Sequence, residues 1–144
     1  MELIVFRAQH LMSLLRRSDP RMVMEAWIKE HDGIAFSAVE DGNLLGSGGI
    51  VMLNPYRAHA WVCLTPEITT GHRLWLHRTA KRYFRLLIET LNPRIVEAEV
   101  LAGCRANCRW IEALGFKASW LREKITPQGE DMLIFELRRS DGEP

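Results

Sequence analysis

Two glutamates in one short segment are the clearest candidates for proton transfer. Glu97 and Glu99 alternate with valine and alanine, and this period of two is typical of a strand on which both carboxylates share one face. A carboxylate that is partly buried has a raised pKa and can take a proton from a substrate. The same alternation is typical of a sheet face that meets water, so the sequence leaves both interpretations open.

Histidine and cysteine add further candidate groups. His59 lies at the start of another predicted strand, where it could accept a proton or simply face solvent. Cys104 and Cys108 are four residues apart and could share a helix face, but no second pair of ligands accompanies them. Because 3 cysteines make no disulfide framework, we expect free thiols, no metal site and a reducing, cytoplasmic compartment.

The composition indicates an ordinary globular protein. The chain has 144 residues, enough for a single domain with its own core. Its 19 basic and 18 acidic residues leave a formal net charge of +1, which provides no general attraction to a polyanion. No apolar run is long enough to span a membrane. We therefore expect one domain over residues 1–144, with no nucleic-acid and no membrane partner.

The elements that position these residues follow from periodicity and turn residues. Helical spacing predicts helices over 8–17, from Pro20 to about residue 32, and over 74–91 and 104–114. Alternation predicts strands over 2–7, 34–39, 44–53, 58–64, 96–100, 117–124 and 131–138. Ser18-Asp19-Pro20 is typical of a helix end followed by a new helix start. The predicted order is β-α-α-β-β-β-α-β-α-β-β.

Two short motifs and this element order together indicate a known fold. The segment Asn107–Phe116, NCRWIEALGF, is an amphipathic helix that ends in Leu-Gly-Phe before a strand. Asp41-Gly42 predicts a hairpin that leads into the glycine-rich run 46–49. In these features the chain resembles the GNAT N-acetyltransferase superfamily. The resemblance implies an α/β (α+β) fold with one mixed seven-stranded sheet, in which strands four and five splay apart.

A narrower likeness is to a phage and prophage group of GNAT-like proteins. The segment Ala80–Arg85, AKRYFR, and the turn Ile125–Asp131, ITPQGED, resemble that group, which includes the small internal virion protein of T7-like phages. This resemblance implies a phage-encoded protein that acts in the host cytoplasm or is part of the virion. A virion or host protein is then a further expected partner.

The superfamily resemblance implies a site for acetyl-CoA as co-substrate between the splayed strands. The pyrophosphate of acetyl-CoA is expected at the start of the central helix, behind a loop of the form Q/R-x-x-G-x-G/A. One register of that loop is Ile68–Arg73 and the other is Trp75–Ala80; we favour the second, which aligns the following helix with the phage group. The expected cofactor-binding residues are Leu64, Trp75, His77, Arg78, Thr79, Ala80, Lys81 and Cys104. The basic members could contact phosphate or form a solvated helix face.

The catalytic groups that the resemblance implies are only partly present. The superfamily's tyrosine, which protonates the leaving thiolate, falls on Ile111, and its asparagine falls on Cys104. The expected proton acceptors are Glu97, Glu99 and His59. Two hypotheses follow: an N-acetyltransferase that acts on a small-molecule or protein amine, or a catalytically decayed GNAT-fold protein with a structural or interaction role.

Overall fold

The computed structural model describes residues 1–16 and 19–139. Within them the helices and strands follow one another in the predicted order. The strands are β1 (Glu2–Val5), β2 (Gly33–Glu40), β3 (Asn43–Met52), β4 (Arg57–Leu64), β5 (Ile95–Leu101), β6 (Lys117–Arg122) and β7 (Met132–Arg138). The helices are α1 (Ala8–Leu15), α2 (Pro20–His31), α3 (Thr70–Leu91) and α4 (Arg105–Ala113). The main difference from the prediction is that α3 begins at Thr70, four residues before the predicted start at residue 74.

The strands form one mixed sheet of seven strands in the order β1-β2-β3-β4-β5-β7-β6. The pairs β1–β2, β2–β3, β5–β7 and β6–β7 are antiparallel, whereas β4 and β5 are parallel. The parallel register ends at the pair His59–Glu97, although both strands continue. The predicted fold class, with splayed fourth and fifth strands, is confirmed.

One compact unit consists of Met1–Met52 and Ala60–Asn92, and it contains β1 to β3, the end of β4 and helices α1 to α3. Met22 and Ala26 are one helical turn apart on α2, so both side chains face its core. Asp19 caps α2 by accepting a hydrogen bond from the N–H of Met22. This confirms the predicted helix start; Ser18 lies outside the described residues. The buried core cluster is Phe6, Leu11, Met22, Ala26, Val51 and Trp61.

The β2–β3 hairpin shows why the sequence places glycine there. Asp41 and Gly42 have φ values of 50° and 78°, as the predicted Asp-Gly turn requires. A Cβ atom placed on Gly49 would lie 2.5 Å from the Cβ of Ala35 on the neighbouring strand. Glycine at this position therefore allows the close approach of the two strands.

The second unit consists of Leu53–His59 and the described residues from Pro93 onward. Val96, Ala98 and Phe135 are buried on one face of its strands, and α4 lies against β5 and β6. Gly115 follows α4 with a φ of 100°, which confirms the predicted terminal glycine. In the described part of the chain, no helix combines the length and the apolarity that crossing a membrane requires. The single domain over residues 1–144 stays a prediction.

Candidate functional site

The start of α3 is closed by a reciprocal pair of hydrogen bonds. Thr69 precedes the helix in an extended conformation, and its hydroxyl accepts from the backbone N–H of His72 at 3.2 Å. The His72 ring returns the contact, because its Nδ1 accepts from the N–H of Thr69 at 3.1 Å. This is a capping box in which histidine replaces the usual glutamate. It fixes the entry of the chain into α3.

The same histidine joins the helix start to the end of β2. Because Nδ1 of His72 is an acceptor, the ring proton of the neutral side chain lies on Nε2. Nε2 donates to the carboxylate of Glu40 at 2.5 Å, and the His72 side chain is mostly buried. One carboxylate therefore lies beside the first turn of α3, at the positive end of the helix dipole.

The first turn of α3 still has donors and space for an anion. The N–H groups of Thr70 and Gly71 lie where no preceding helical carbonyl can accept from them. Gly71 is exposed, and outside its own helix and chain neighbours a Cβ placed there would meet Thr69 Oγ1 alone, at 3.8 Å, among the described residues. Two open N–H groups at a helix start fit a diphosphate, and the Glu40 carboxylate opposes it.

The favoured register of the cofactor loop is wrong. Trp75 to Ala80 lie inside α3, where backbone N–H groups bond within the helix, so this segment is no loop. The alternative register, from Ile68 to Arg73, spans the observed helix start. The register was favoured for its alignment with the phage group, although helical spacing already predicts a helix from residue 74. Within α3, Arg78 and Lys81 are exposed, whereas Trp75, His77, Thr79 and Ala80 are half-buried.

In the second unit, Glu97 is held by an ion pair. Its Oε2 accepts from the guanidinium of Arg57 at 2.7 Å, and the Glu97 side chain is 21% exposed. The two residues come from neighbouring strands, β4 and β5. A carboxylate held in this way is less free to turn toward a substrate than an unpaired one.

Glu136 on β7 is the most buried charge of this face. Its Oε1 accepts from the hydroxyl of Ser119, and its Oε2 lies 3.2 Å from Arg138 and 3.5 Å from Arg57. The Ser119 hydrogen bond, followed by the charges of Arg138 and Arg57, holds the pKa of Glu136 below its usual value despite burial. Glu97 and Glu136 are register partners on β5 and β7, so Arg57 can contact both carboxylates.

Glu99 is the more accessible of the two predicted carboxylates. It lies two residues beyond Glu97 on the same strand face, and its residue is exposed. Its Oε1 accepts from Arg122 at 3.2 Å, and the guanidinium of Arg122 in turn lies 4.7 Å from the ring centre of Trp120. An exposed pair of this kind is weak and can open.

The remaining predicted site residues lie on β4 and immediately before α4. His59 is half-buried on β4, in register with Glu97. Leu64 ends β4 and is half-buried against Gly46 in the first unit. Cys104 precedes α4, and its side chain makes no capping hydrogen bond.

Sequence reasoning missed the network that surrounds Glu97. Arg57, Ser119 and Glu136 were not singled out, because their partners are distant along the chain. One signal was present: Glu136 interrupts the apolar run Met132–Phe135, and a carboxylate in a buried strand needs partners. Glu40 and His72 were also missed, since 32 residues separate them.

Solved structures share this architecture over almost their whole length. Ribosomal-protein-S18-alanine N-acetyltransferase from Escherichia coli gives a TM-score of 0.75 at 16% identity, and the match covers 99% of this chain and 98% of that one. The chain has the GNAT fold. A putative phosphinothricin N-acetyltransferase gives 0.76 at 15% identity, with 97% and 99% covered. Spermidine N-acetyltransferase SpeG from Vibrio cholerae, as its F149A mutant, gives 0.70 at 12% identity, with 96% and 95% covered. No family model and no curated protein matches the sequence.

Proposed function

We propose that this GNAT-fold protein is an N-acetyltransferase that moves an acetyl group from acetyl-CoA to an amine. The observation that carries the proposal is the open first turn of α3, where the N–H groups of Thr70 and Gly71 fit a diphosphate. Structures described as N-acetyltransferases of protein and small-molecule amines share the fold, which supports the same reaction class here.

The residues of α3 define how acetyl-CoA would be held. We assign the diphosphate to the N–H groups of Thr70 and Gly71, with the exposed side chain of Arg73 one residue beyond the capping histidine. Arg78 and Lys81 are exposed further along the same helix and would add electrostatic attraction for the phosphates. The backbone N–H groups at those positions bond within the helix, so only the two side-chain charges would contribute, and they would act at long range.

In the proposed reaction the acceptor nitrogen forms a bond to the acetyl carbon, and the carbon–sulfur bond of the thioester breaks. One proton leaves the nitrogen, and the departing thiolate takes up one proton. Glu99 is our choice of proton acceptor, because its pair with Arg122 is exposed and can open. Glu97 is assigned a positioning role, since Arg57 holds its carboxylate in place.

The leaving thiolate has no tyrosine to protonate it in this proposal. Ile111 occupies the corresponding position on α4 and is half-buried. Water must then supply the proton, and the rate would depend chiefly on how well the two substrates are held in place. We therefore propose a modest turnover together with measurable binding of acetyl-CoA.

A calorimetric titration with acetyl-CoA tests the proposal, followed by a thiol-release assay over a panel of small amines and of peptides with free N-termini. Saturable binding with turnover on at least one amine is expected. The matched ligand is 3′-phosphoadenosine, which lacks the diphosphate and should bind at least tenfold more weakly. Absence of binding at millimolar acetyl-CoA would overturn the proposal.

A second candidate is a phage-derived GNAT-fold protein without catalysis, which binds a virion or host protein in the host cytoplasm. Isoleucine in place of tyrosine at position 111 favours this candidate. The Glu40 carboxylate beside the first turn of α3 also favours it, because it opposes an anion there. Its three free cysteines agree with a cytoplasmic location. Folded protein that neither binds acetyl-CoA nor releases thiol in the same assays would favour this candidate.

A further inference from the structure

One side of α3 carries four exposed basic side chains. Their spacing along the chain is i, i+3, i+4 and i+7, which places them on one side of a helix. They are Arg78, Lys81, Arg82 and Arg85, here called the basic face. Leu87, which is buried, comes about two and a half helical turns after Arg78, so the basic face points away from the core.

The basic face has no acidic partner among the described residues. No carboxylate lies three or four positions along the chain from Arg78, Lys81 or Arg82. Glu89 is one turn beyond Arg85, but the two form no ion pair in the part of the chain that the structure describes. The four cations therefore neighbour one another, and like charges at this spacing destabilise a helix. An anionic partner would relieve that repulsion.

The basic face extends well beyond the proposed diphosphate position. At about 1.5 Å per residue, Arg82 and Arg85 lie about 18 and 22 Å along the helix from Thr70. A diphosphate at the start of α3 is too far away to contact either side chain. Because the whole chain has a formal net charge of +1, the basic face is a local excess of positive charge and not a general property of the surface.

An exposed leucine lies next to each end of the basic face. Leu74 precedes Arg78 by one turn and is 55% exposed, and Leu86 follows Arg82 by one turn and is 47% exposed. A nucleic-acid backbone would leave both leucines without an apolar contact, whereas a protein segment with apolar side chains can cover them. The distance from Leu74 to Leu86 along the helix is about 18 Å, a little over three turns.

We propose that the basic face of α3 docks an acidic segment of a partner protein, in which apolar side chains alternate with carboxylates. Guanidinium groups pair with carboxylates through two parallel hydrogen bonds, so three arginines suit such a segment. The surface is small and exposed, so binding is weak and sensitive to salt. The proposal does not depend on acetyl transfer, since Arg82 and Arg85 belong to no part of the proposed acetyl-CoA site.

Fluorescence anisotropy with the full chain and labelled peptides tests the proposal. The probe is a helical peptide of about 12 residues, the length of the surface, with glutamate and leucine at helical spacing. One control peptide has glutamine in place of every glutamate, and a second has alanine in place of every leucine. A single-stranded oligonucleotide of equal charge and vesicles of phosphatidylserine and phosphatidylcholine in equal amounts represent the other anionic partners.

The glutamate–leucine peptide is expected to bind saturably, and more weakly as salt is raised. Arg82→Gln combined with Arg85→Gln should raise its Kd about fivefold or more and leave acetyl-CoA binding unchanged. Arg105→Gln combined with Arg109→Gln removes the same two charges from exposed positions on α4 and should leave the peptide Kd unchanged. Thermal denaturation checks that both double variants fold; the loss of like-charge neighbours should not lower the melting temperature of the α3 variant.

Four results would overturn the proposal: no binding of the glutamate–leucine peptide, equal binding of either control peptide, an α3 double variant that binds like the parent, or an equal loss of binding in the α4 double variant. Tighter binding of the oligonucleotide or of the vesicles than of the peptide would also overturn it, because the basic face would then bind nucleic acid or a membrane surface.

Discussion

His72 Nε2 donates to Glu40 Oε2 at 2.5 Å, and this bond brings a carboxylate to the start of α3, where the proposed diphosphate site needs positive potential. The contact joins the end of β2 to the capping box of the helix. It stabilises the helix entry and opposes an anion at the same place. Its two effects can be separated by substitution, because a neutral amide keeps the hydrogen bond and loses the charge.

Glu40→Gln should therefore bind acetyl-CoA more tightly than the parent protein. Removing a like charge a few ångströms from the phosphates is worth about 1 kcal/mol at a protein surface, or roughly fivefold in Kd. Calorimetry at low ionic strength measures it, and Glu25→Gln on α2 is the control. An unchanged or weaker affinity in Glu40→Gln would show that the anion does not bind at this helix start.

Gly71 provides a pair of substitutions with opposite expectations. Gly71→Ala has room for its Cβ and a better helix former, so binding should be kept and stability raised by up to about 1 kcal/mol. Gly71→Asp also suits the first turn of a helix, but its carboxylate would occupy the diphosphate position. For Gly71→Asp we therefore expect a melting temperature at or above that of the parent, together with loss of acetyl-CoA binding. Equal binding by both variants would contradict the assignment.

Glu97 and Glu99 should respond differently to loss of charge. Glu99→Gln is expected to lower kcat by about 100-fold or more without a change in acetyl-CoA affinity, because it removes the proton acceptor. Glu97→Gln leaves Arg57 with a weaker partner and should act mainly on stability. Thiol-release kinetics and chemical denaturation of both variants separate the roles. A loss of turnover in Glu97→Gln alone would show that Glu97, and not Glu99, is the proton acceptor.

The sequence predicted the architecture well and the site only in part. Alternation around Val96 and the Asp41-Gly42 turn reflect local backbone preferences, and the structure confirms both elements. The start of α3 was misplaced because a capping box depends on two polar side chains and not on apolar spacing. Pairs such as Arg57–Glu136 arise from strand pairing across 79 residues, which no local pattern encodes.

Ser119 should control how stability depends on pH in the acidic range. Its hydroxyl is the largest cause of the lowered pKa of Glu136, so the folded state favours the ionised carboxylate. That stabilisation is present above the ordinary glutamate pKa and is lost as pH falls through the lower, folded value. Ser119→Ala should lower the free energy of unfolding by about 1 kcal/mol at pH 7 and by progressively less in acid. Urea denaturation from neutral to acidic pH measures this, and a cost that stays constant in acid would contradict it.

His10 should make the N-terminal unit sensitive to pH at milder acidity. Nδ1 of His10 accepts from the N–H of Arg7 at 3.0 Å and lies 2.8 Å from the hydroxyl of Ser37, which is 2.7 Å from that of Ser47. Both serines are buried, so they depend on the neutral His10 ring of α1 as the hydrogen-bond acceptor at the end of their row. Burial of the ring, aided by the charge of Arg7, lowers the pKa of His10.

Because the folded pKa lies below the unfolded one, this stabilisation is present above the ordinary histidine value. It is lost as pH falls through the lower, folded pKa, when a proton on Nδ1 displaces both donors. His10→Gln should therefore be less stable than the parent near pH 7.5, and the gap should narrow steadily as the pH falls below 6. Ser37→Ala removes a hydrogen bond without removing the titrating group, so it should keep the parent's slope with pH. Parallel stability curves for the parent and His10→Gln, measured by urea denaturation across this range, would rule out a titrating role for His10.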